Sequence, residues 1–447
     1  MTQPSPTGLV VCADFGSTFT KLAAIDLASG ELLGRAEHAT TAGTDVLDGF
    51  EAARAELAET LPWADLSAVL ACSSAGGGLR LAVVGYERVI SAEAGQRVAL
   101  SAGGRVVHVA AGRLDAAALG GLSAATPDVV LLVGGTDGGD RDVLMHNAGE
   151  LAASLSGAVP VVVAGNAVAA GEAESLLNSA GLTTIVTANV LPDIGELHPL
   201  PARRAIREVF IQHVIGGKHL SADPAFAAMV HAATPDAVLA GVEILADVVG
   251  AGLLVVDVGG ATTDVYSVLT PDAEDAGLHR AAVEPLWRSR TVEADLGMRW
   301  SASSLIDAAV AERLLSTEAA AELRRPAAAR ASDPGWLPAS TADARTDLQL
   351  ATLAATVAVR RHARVRDLRE VALVVGSGGV LRHGPAGRAE AVLAAVLDDR
   401  AGGWKRPLGA TVSVDRDYVL AMAGLIGLTD SVAAARLLRA TWPRAAR

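Results

Sequence analysis

The chain has 447 residues, 51% of them hydrophobic, and its 37 Lys and Arg against 50 Asp and Glu leave a net charge of −13. That length suggests about three domain-sized units, and the apolar content suffices for a large core, which excludes wholesale disorder. The acidic balance, with no basic tract, argues against nucleic acid or an anionic membrane surface as the main partner. Two cysteines cannot build a disulfide framework or a four-thiolate metal site.

The opening residues MTQPSPTGLVV lack a basic segment and run into an apparent strand, so no secretory signal is expected. Short β-branched runs then alternate with Ala- and Leu-rich stretches of helical period, the pattern of α/β architecture. Residues 9–13 and 21–27 read as two strands joined by the turn 14–20, with a third strand at 31–40. A helix at 45–60 with Asp45 at its N-cap follows, then a strand at 67–73 ending in the loop SSAGGG. In the middle, strands at 106–110, 128–133, 159–164 and 184–188 are separated by helices such as 143–155 and 167–179. That spacing implies a parallel sheet with crossover helices. Helices at 201–214 and 235–249 lead into LLVVDVGGATTDVYSVL, which repeats the N-terminal strand–turn–strand unit in the second half of the chain. The most apolar stretch, 237–258, is broken by Glu243, Asp247 and Asp257, so no membrane span is expected. The remainder reads as a loop at 270–276, helices at 303–315 and 342–361 with an exposed connection at 330–338, a strand at 371–375 ending in GSGG, and helices near 386–397 and 418–435. The expected organisation is a first lobe over 1–80, an inserted α/β layer over 81–200, helices completing the first lobe over 201–250, and a second lobe over 251–447.

Three glycine-rich turns carry chemistry. In DFGSTFTK, from Asp14 to Lys21, Gly16 leaves backbone N–H groups open to a phosphate, Ser17, Thr18 and Thr20 add hydroxyl donors, and Lys21 adds a point charge. Asp14, at the strand end, is placed to hold Mg2+ through water. An ordinary hairpin would show the same polar residues. In DVGGATTD, from Asp257 to Asp264, the elements recur: a strand-end Asp257, then Gly259, Gly260, Thr262 and Thr263. Two such turns face to face would clamp a polyphosphate, with Asp14 and Asp257 as the catalytic pair holding the metal or the attacking water. Their joint occurrence is far more specific than either alone. The third turn, Gly376, Ser377, Gly378 and Gly379, would let backbone approach an adenosine closely.

In this order the turns resemble the phosphate-1, phosphate-2 and adenosine segments of the acetate/sugar kinase–Hsc70–actin superfamily. VEADLGM (292–298) resembles the segment after phosphate-2, where a Leu-Gly pair, here Leu296 and Gly297, lines the nucleotide side of lobe two. The resemblance implies a two-lobed actin-like ATPase of duplicated ribonuclease-H-like lobes, with ATP and Mg2+ between them and an elaborated parallel α/β layer in the first lobe. More narrowly, CSSAGGGLR (72–80), LLVGGTDGGDRD (131–142), AGNAVAA (164–170), ANVLPDIGEL (188–197) and SRTVEADLGMR (289–299) are similar to the accessory proteins of coenzyme-B12-dependent glutamate mutase, of GlmL or MutL type. That resemblance implies a chaperone-like ATPase that keeps an adenosylcobalamin mutase active by helping exchange damaged cofactor; the acidic composition, with neither secretory signal nor membrane span expected, reads as a cytoplasmic protein. Its partners would be the mutase subunits, with the subunit number open and a dimer among the options.

Other candidates weigh less. Asp137, Asp193 and Glu196 are the choices for a carboxylate that polarises the attacking water, although the GGTDGG loop around Asp137 reads equally as a turn requiring glycine. Cys12 and Cys72 sit at strand positions and are expected to be buried, a poor fit to electron transfer through a shared cluster. His213, His219 and His362 match no zinc spacing and are expected to be solvated or capping; the Arg-rich strip 360–369 is expected at a helix end. A small-molecule kinase on the same scaffold, or a nucleotide-binding scaffold without turnover, are the alternatives.

Overall fold

The computed structural model describes residues 8–75, 79–87, 91–102, 104–215, 220–269, 288–364, 366–384 and 387–442. The glycines of SSAGGG and the expected loop at 270–276 lie outside them.

Strands β1 (Leu9–Phe15), β2 (Phe19–Asp26) and β3 (Glu31–Ala39) form an antiparallel meander. Helix α1 (Val46–Thr60) starts at Asp45, whose carboxylate accepts from the Leu47 N–H, and returns the chain to β4 (Val69–Ser73), parallel to β1. An insertion follows: β5 (Leu79–Gly85), α2 (Ser91–Ser101), β6 (Gly104–Ala111), α3 (Ala116–Ala124), β7 (Val129–Leu132), α4 (Asp142–Ser154), β8 (Val161–Val163), α5 (Ala167–Ser179) and β9 (Thr184–Val186). Its strands make a separate all-parallel sheet in the order β6-β5-β7-β8-β9. Next come α6 (Pro199–Val209), running into a π-helical turn Phe210–Ile215, α7 (Pro224–Met229) and β10 (Val230–Ala233), which pairs with β4 and completes the first sheet as β10-β4-β1-β2-β3.

Helix α8 (Thr234–Val249) crosses to the second lobe, which repeats the plan. Strands β11 (Gly252–Val258), β12 (Thr263–Val268) and β13 (Arg288–Glu293) form a second meander. Helices α9 (Ala302–Ala311), α10 (Thr317–Ser332) and α11 (Thr341–Ala363) lead to β14 (Val371–Ser377), parallel to β11. The chain closes with α12 (Gly379–Arg382), α13 (Arg388–Asp398), β15 (Thr411–Val414), α14 (Val419–Gly427) and α15 (Ser431–Thr441). The sheet order β13-β12-β11-β14-β15 matches that of the first lobe strand for strand. The chain is thus a duplicated ribonuclease-H-like unit, the two-lobed actin-like fold, with a parallel α/β layer inserted in the first lobe.

Alternation along the central strands explains the layering. Val11, Ala13 and Phe15 of β1 face the core shared with α1 and the inserted sheet, whereas Val10 and Cys12 face a core between the lobes. In β11, Leu254, Val256 and Val258 face the second lobe's own core while Leu253 and Val255 join the same interlobe core. That interlobe core is filled by α8, α14 and α15. Helices α8 and α14 occupy equivalent places after β10 and β15, and they touch backbone to backbone. A Cβ on Gly241 would lie 1.9 Å from the Leu420 carbonyl oxygen, and one on Gly424 would lie 1.8 Å from that of Ala237.

Several elements depart from expectation. The segment 201–250, expected to be helical, also supplies β10, four residues too short to announce themselves. Polar β13 is likewise a strand only because β12 pairs with it. The helix expected at 418–435 is two helices, since the Asp430 carboxylate caps a new one through the N–H groups of Val432 and Ala433. The connection expected at 330–338 begins inside α10, where Arg330 is buried against Asp347 at 2.5 Å.

Substitution Gly424→Ala should force α8 and α14 apart and cost about 3 kcal/mol of stability, read by denaturant unfolding. Gly171→Ala, in α5 with nothing within 4 Å of the added Cβ, should instead stabilise by about 0.5–1 kcal/mol.

Candidate functional site

The first two turns are built alike. In each, a strand-end aspartate is followed two residues later by a glycine whose N–H closes the turn: Gly16 to the Phe19 carbonyl (3.1 Å) and Gly259 to the Thr262 carbonyl (2.9 Å). A Cβ there would sit 2.7 Å and 2.9 Å from those same oxygens, so both positions require glycine. The turns meet across the lobes, for a Cβ on Gly260 would lie 3.4 Å from the Thr18 hydroxyl. The third turn joins them. Gly378 has φ +96, and a Cβ on it would stand 2.2 Å from the Val258 carbonyl and 2.9 Å from Asp257 Oδ1.

The register of each hairpin decides its electrostatics. Across β1–β2, Asp14 is opposite Lys21; across β11–β12, Asp257 is opposite Asp264. Asp14 is 1% exposed and saturated with donors: Lys21 Nζ at 2.9 Å and the Tyr418 hydroxyl at 3.0 Å on Oδ2, the Thr234 hydroxyl at 2.5 Å and the Cys72 thiol at 3.5 Å on Oδ1. Lys21 also lies over the Tyr418 ring, 4.1 Å from its centroid. Asp257 is half-buried and has no hydrogen-bond or ion-pair partner among the described residues. Withdrawal from water, followed by the charge of Asp264, pushes its carboxyl up to about 7, with Lys21 opposing and Asp14 and Asp415 adding. Asp415 is the first residue after β15, the place that Thr234 holds after β10. Burial pushes Asp415 up to about 6, although the Val419 and Leu420 N–H groups bond to it.

The expected phosphate donors separate into two groups. Ser17 is exposed, and Thr18, Lys21, Gly259, Gly260 and Thr262 are half-buried around the junction; Thr262 donates to Asp264 Oδ2 at 3.0 Å. Thr20 and Thr263 are fully buried instead, the first bonded to Thr40 (3.0 Å) and the second to the Leu296 carbonyl (2.6 Å). Of the third turn, Gly379 is open, Gly378 meets Asp257, and Ser377 is buried in register with Asp257. Gly376 is a packing position, 3.0 Å at its Cβ site from Leu381 and Leu393. Gly297 supports the second turn: a Cβ on it would lie 2.4 Å from the Ala261 carbonyl, and the N–H groups of Met298 and Arg299 bond to Gly259 and Gly260.

Three acidic candidates belong to the inserted sheet. The Asp137 carboxylate accepts from the Ala167 N–H (2.9 Å) and Asn189 Nδ2 (2.8 Å), fixing a loop in which Gly134, Gly135 and Gly138 all have positive φ. Asp193 and Glu196 are exposed beyond β9, and Glu196 pairs with His198 at 2.7 Å. His362 corrects the expectation of a solvated histidine: it is fully buried between Ser267 (2.8 Å) and Thr291 (2.9 Å), with burial and Arg366 bringing it down to about 3, so it stays neutral. The side chain of His213, and all of His219, lie outside the described residues. Cys12 and Cys72 are buried. No described helix is long and apolar enough to cross a membrane.

Thr234, Tyr418 and Asp415 escaped the sequence. Nothing in DRDY (415–418) signals that a tyrosine will reach a carboxylate 404 positions away. The contrast between Lys21 and Asp264 was visible, since aligning the two octapeptides puts them in the same place.

Two matched sheets led by Asp-x-Gly hairpins that meet at their turns define an actin-like protein. Within that class the chain belongs to the MutL protein family, whose model matches residues 10–442. Protein MutL of Clostridium tetanomorphum is 34% identical over 438 residues, covering 92% of this chain and 94% of that protein. Among solved structures, the ethanolamine utilization protein EutJ of Carboxydothermus hydrogenoformans is 12% identical, covering 98% of this chain and 92% of its own, with a TM-score of 0.31. Component A of the (R)-2-hydroxyglutaryl-CoA dehydratase of Acidaminococcus fermentans is 10% identical, covering 96% and 97%, with a TM-score of 0.32. The fold assignment rests on strand order and not on these two likenesses.

The raised Asp257 has a consequence for stability. An unfolded aspartate ionises near about 3.9 and the folded one near 7, so unfolding releases a proton between those values and stability falls as pH rises through them. Asp257→Asn should therefore melt about 2–4 °C above the wild type at pH 8, with the gain vanishing toward pH 4 in thermal scans.

Proposed function

We propose that the chain is an ATP-dependent accessory factor for an adenosylcobalamin-dependent mutase of the glutamate mutase type, acting as a chaperone-like ATPase. The observation that carries the nucleotide part is the meeting of the two Asp-led turns, with Asp257 left uncompensated beside them. An isolated carboxylate in such a place is costly unless a cation or a proton joins it. Membership of the MutL family, together with the resemblance to glutamate mutase accessory proteins, supports the partner.

In this reading the polyphosphate lies between Gly16, Ser17 and Thr18 on one side and Gly259, Gly260 and Thr262 on the other, with adenosine toward Gly378 and Gly379. Open backbone N–H groups and small hydroxyls suit an anion. Thr20, Thr263 and Gly376 shape the turns from behind. Lys21 would exchange its bond to Asp14 for one to a phosphate, leaving Asp14 to orient the attacking water. The donor set fits a hydrated Mg2+ and not a directly caged one: among the described residues no three His, Cys, Asp or Glu side chains converge as ligands, and this ion keeps most of its water shell. Asp257 would hold it through that shell, and the ion, when bound, neutralises phosphate charge. Tyr418 and Thr234 reach Asp14 from the starts of α14 and α8, so a change in the grip on Asp14 is felt by the helices joining the lobes. Lobe motion of this kind is how nucleotide state would alter the grip on a mutase.

Asp257→Asn and Asp14→Asn should each lower ATP turnover at least about a hundredfold through lost electrostatic stabilisation, measured as phosphate release with and without glutamate mutase subunits. Undiminished turnover in both variants would contradict the assignment.

A further inference from the structure

The inserted sheet carries a surface that nucleotide binding leaves unexplained. Nine large apolar side chains stand exposed among the described residues, and five of them, Val168, Leu176, Val186, Ile194 and Leu200, fall within this one insertion and the start of α6. Three share a junction at the carboxyl ends of β7, β8 and β9. The Asp137 N–H donates to the Pro192 carbonyl (2.9 Å) while its carboxylate accepts from the Ala167 N–H. Val168 and Ile194 therefore flank the same residue. The His198 N–H donates to the Val190 carbonyl (2.9 Å), which ties the chain two residues before the exposed Leu200 to the segment that carries Pro192. Exposure of 66%, 74% and 58% for Val168, Ile194 and Leu200 leaves most of each side chain in water.

Charge singles out the same region. Between Leu114 and Ala202 the chain has ten Asp and Glu and one arginine, so nine of its thirteen net negative charges lie there. That arginine, Arg141, is tied to Glu172. Asp137, Asp140, Asp142, Asp193 and Glu196 are all exposed around the apolar residues. An apolar patch rimmed by polar groups marks an interaction site. Glu196 pairs with His198 (2.7 Å), but the net negative charge of the rim would still repel anionic lipid and nucleic acid and steer a cationic surface toward the patch. The backbone is already set: Asn166 Nδ2 holds the Gly139 carbonyl and Asn189 Nδ2 that of Gly135, each at 3.0 Å. Little ordering is left for binding to impose.

We infer that the carboxyl end of the inserted sheet, centred on Val168, Ile194 and Leu200, is a docking face for a basic protein surface that carries apolar side chains. Naming that partner as a mutase subunit rests on the proposed function; the chemistry of the face does not.

The test uses the full chain, the double variant Val168→Asp/Ile194→Asp, and two probes: purified glutamate mutase subunits and a synthetic amphipathic lysine–leucine peptide. Affinity is read by calorimetry at two salt concentrations, and contact by amide hydrogen exchange. The expected result is slowed exchange at 134–140, 166–170 and 190–200 in the wild type, affinity that falls with salt, and at least about a tenfold loss in the variant. Equal binding by the variant, protection elsewhere, or no peptide binding would overturn the docking face. Peptide bound here without any mutase subunit would sustain the face and sink the mutase reading. A mutase subunit bound elsewhere would do the reverse.

Discussion

Two glycines hold the molecule together at its middle. Gly241 and Gly424 let α8 and α14 approach until each backbone touches the other, with no room at either contact for a Cβ. Because these helices occupy equivalent places in the two lobes, the contact is reciprocal, and it sets how the central strands β1 and β11 stand to one another. Both strands send alternate residues into the same interlobe core, Val10 and Cys12 from one and Leu253 and Val255 from the other. The meeting of Thr18 with Gly260 at the strand ends depends on that crossing.

On this symmetric frame the chemistry is asymmetric. Each aspartate sees one residue across its hairpin and one just past the outer parallel strand. For Asp14 these are Lys21 and Thr234, a cation and a hydroxyl donor; for Asp257 they are Asp264 and Asp415, two further acids. The same backbone has thus produced a neutralised carboxylate and an uncompensated one. Asp264 is itself held by Arg290 (2.7 Å), so the second lobe does not lack cations; among the described residues none pairs with Asp257. A site already balanced would gain little from a metal-bound polyphosphate. In the proposed reading, this one has a charge to be met on one side and a lysine to be released on the other.

Much of this was legible in the chain itself. The duplicated strand–turn–strand unit, the two octapeptides and the terminal GSGG are local patterns, and local patterns survive folding. The all-parallel insertion was equally plain, because strands buried on both faces, such as Val129–Leu132, read as unbroken apolar runs. What stayed hidden was decided by pairing at long range. Strand β10 is four residues that count only because β4 lies beside them. Tyr418 matters because α14 begins where Asp14 ends. The burial of two expected donors was hidden for a related reason: the motif sets Thr20 and Thr263 beside their neighbours, but in a strand alternate residues point to opposite faces, and these two point inward.

Under the proposed function, the interlobe contact and the unequal aspartates together predict where the nucleotide lies. A crystal structure with Mg2+ and a non-hydrolysable ATP analogue tests this most directly. The phosphates should lie between Thr18 and Gly260, with Lys21 drawn off Asp14 and the ion's water shell against Asp257. A nucleotide bound away from that junction, or an Asp14–Lys21 pair unaltered with the analogue in place, would contradict it.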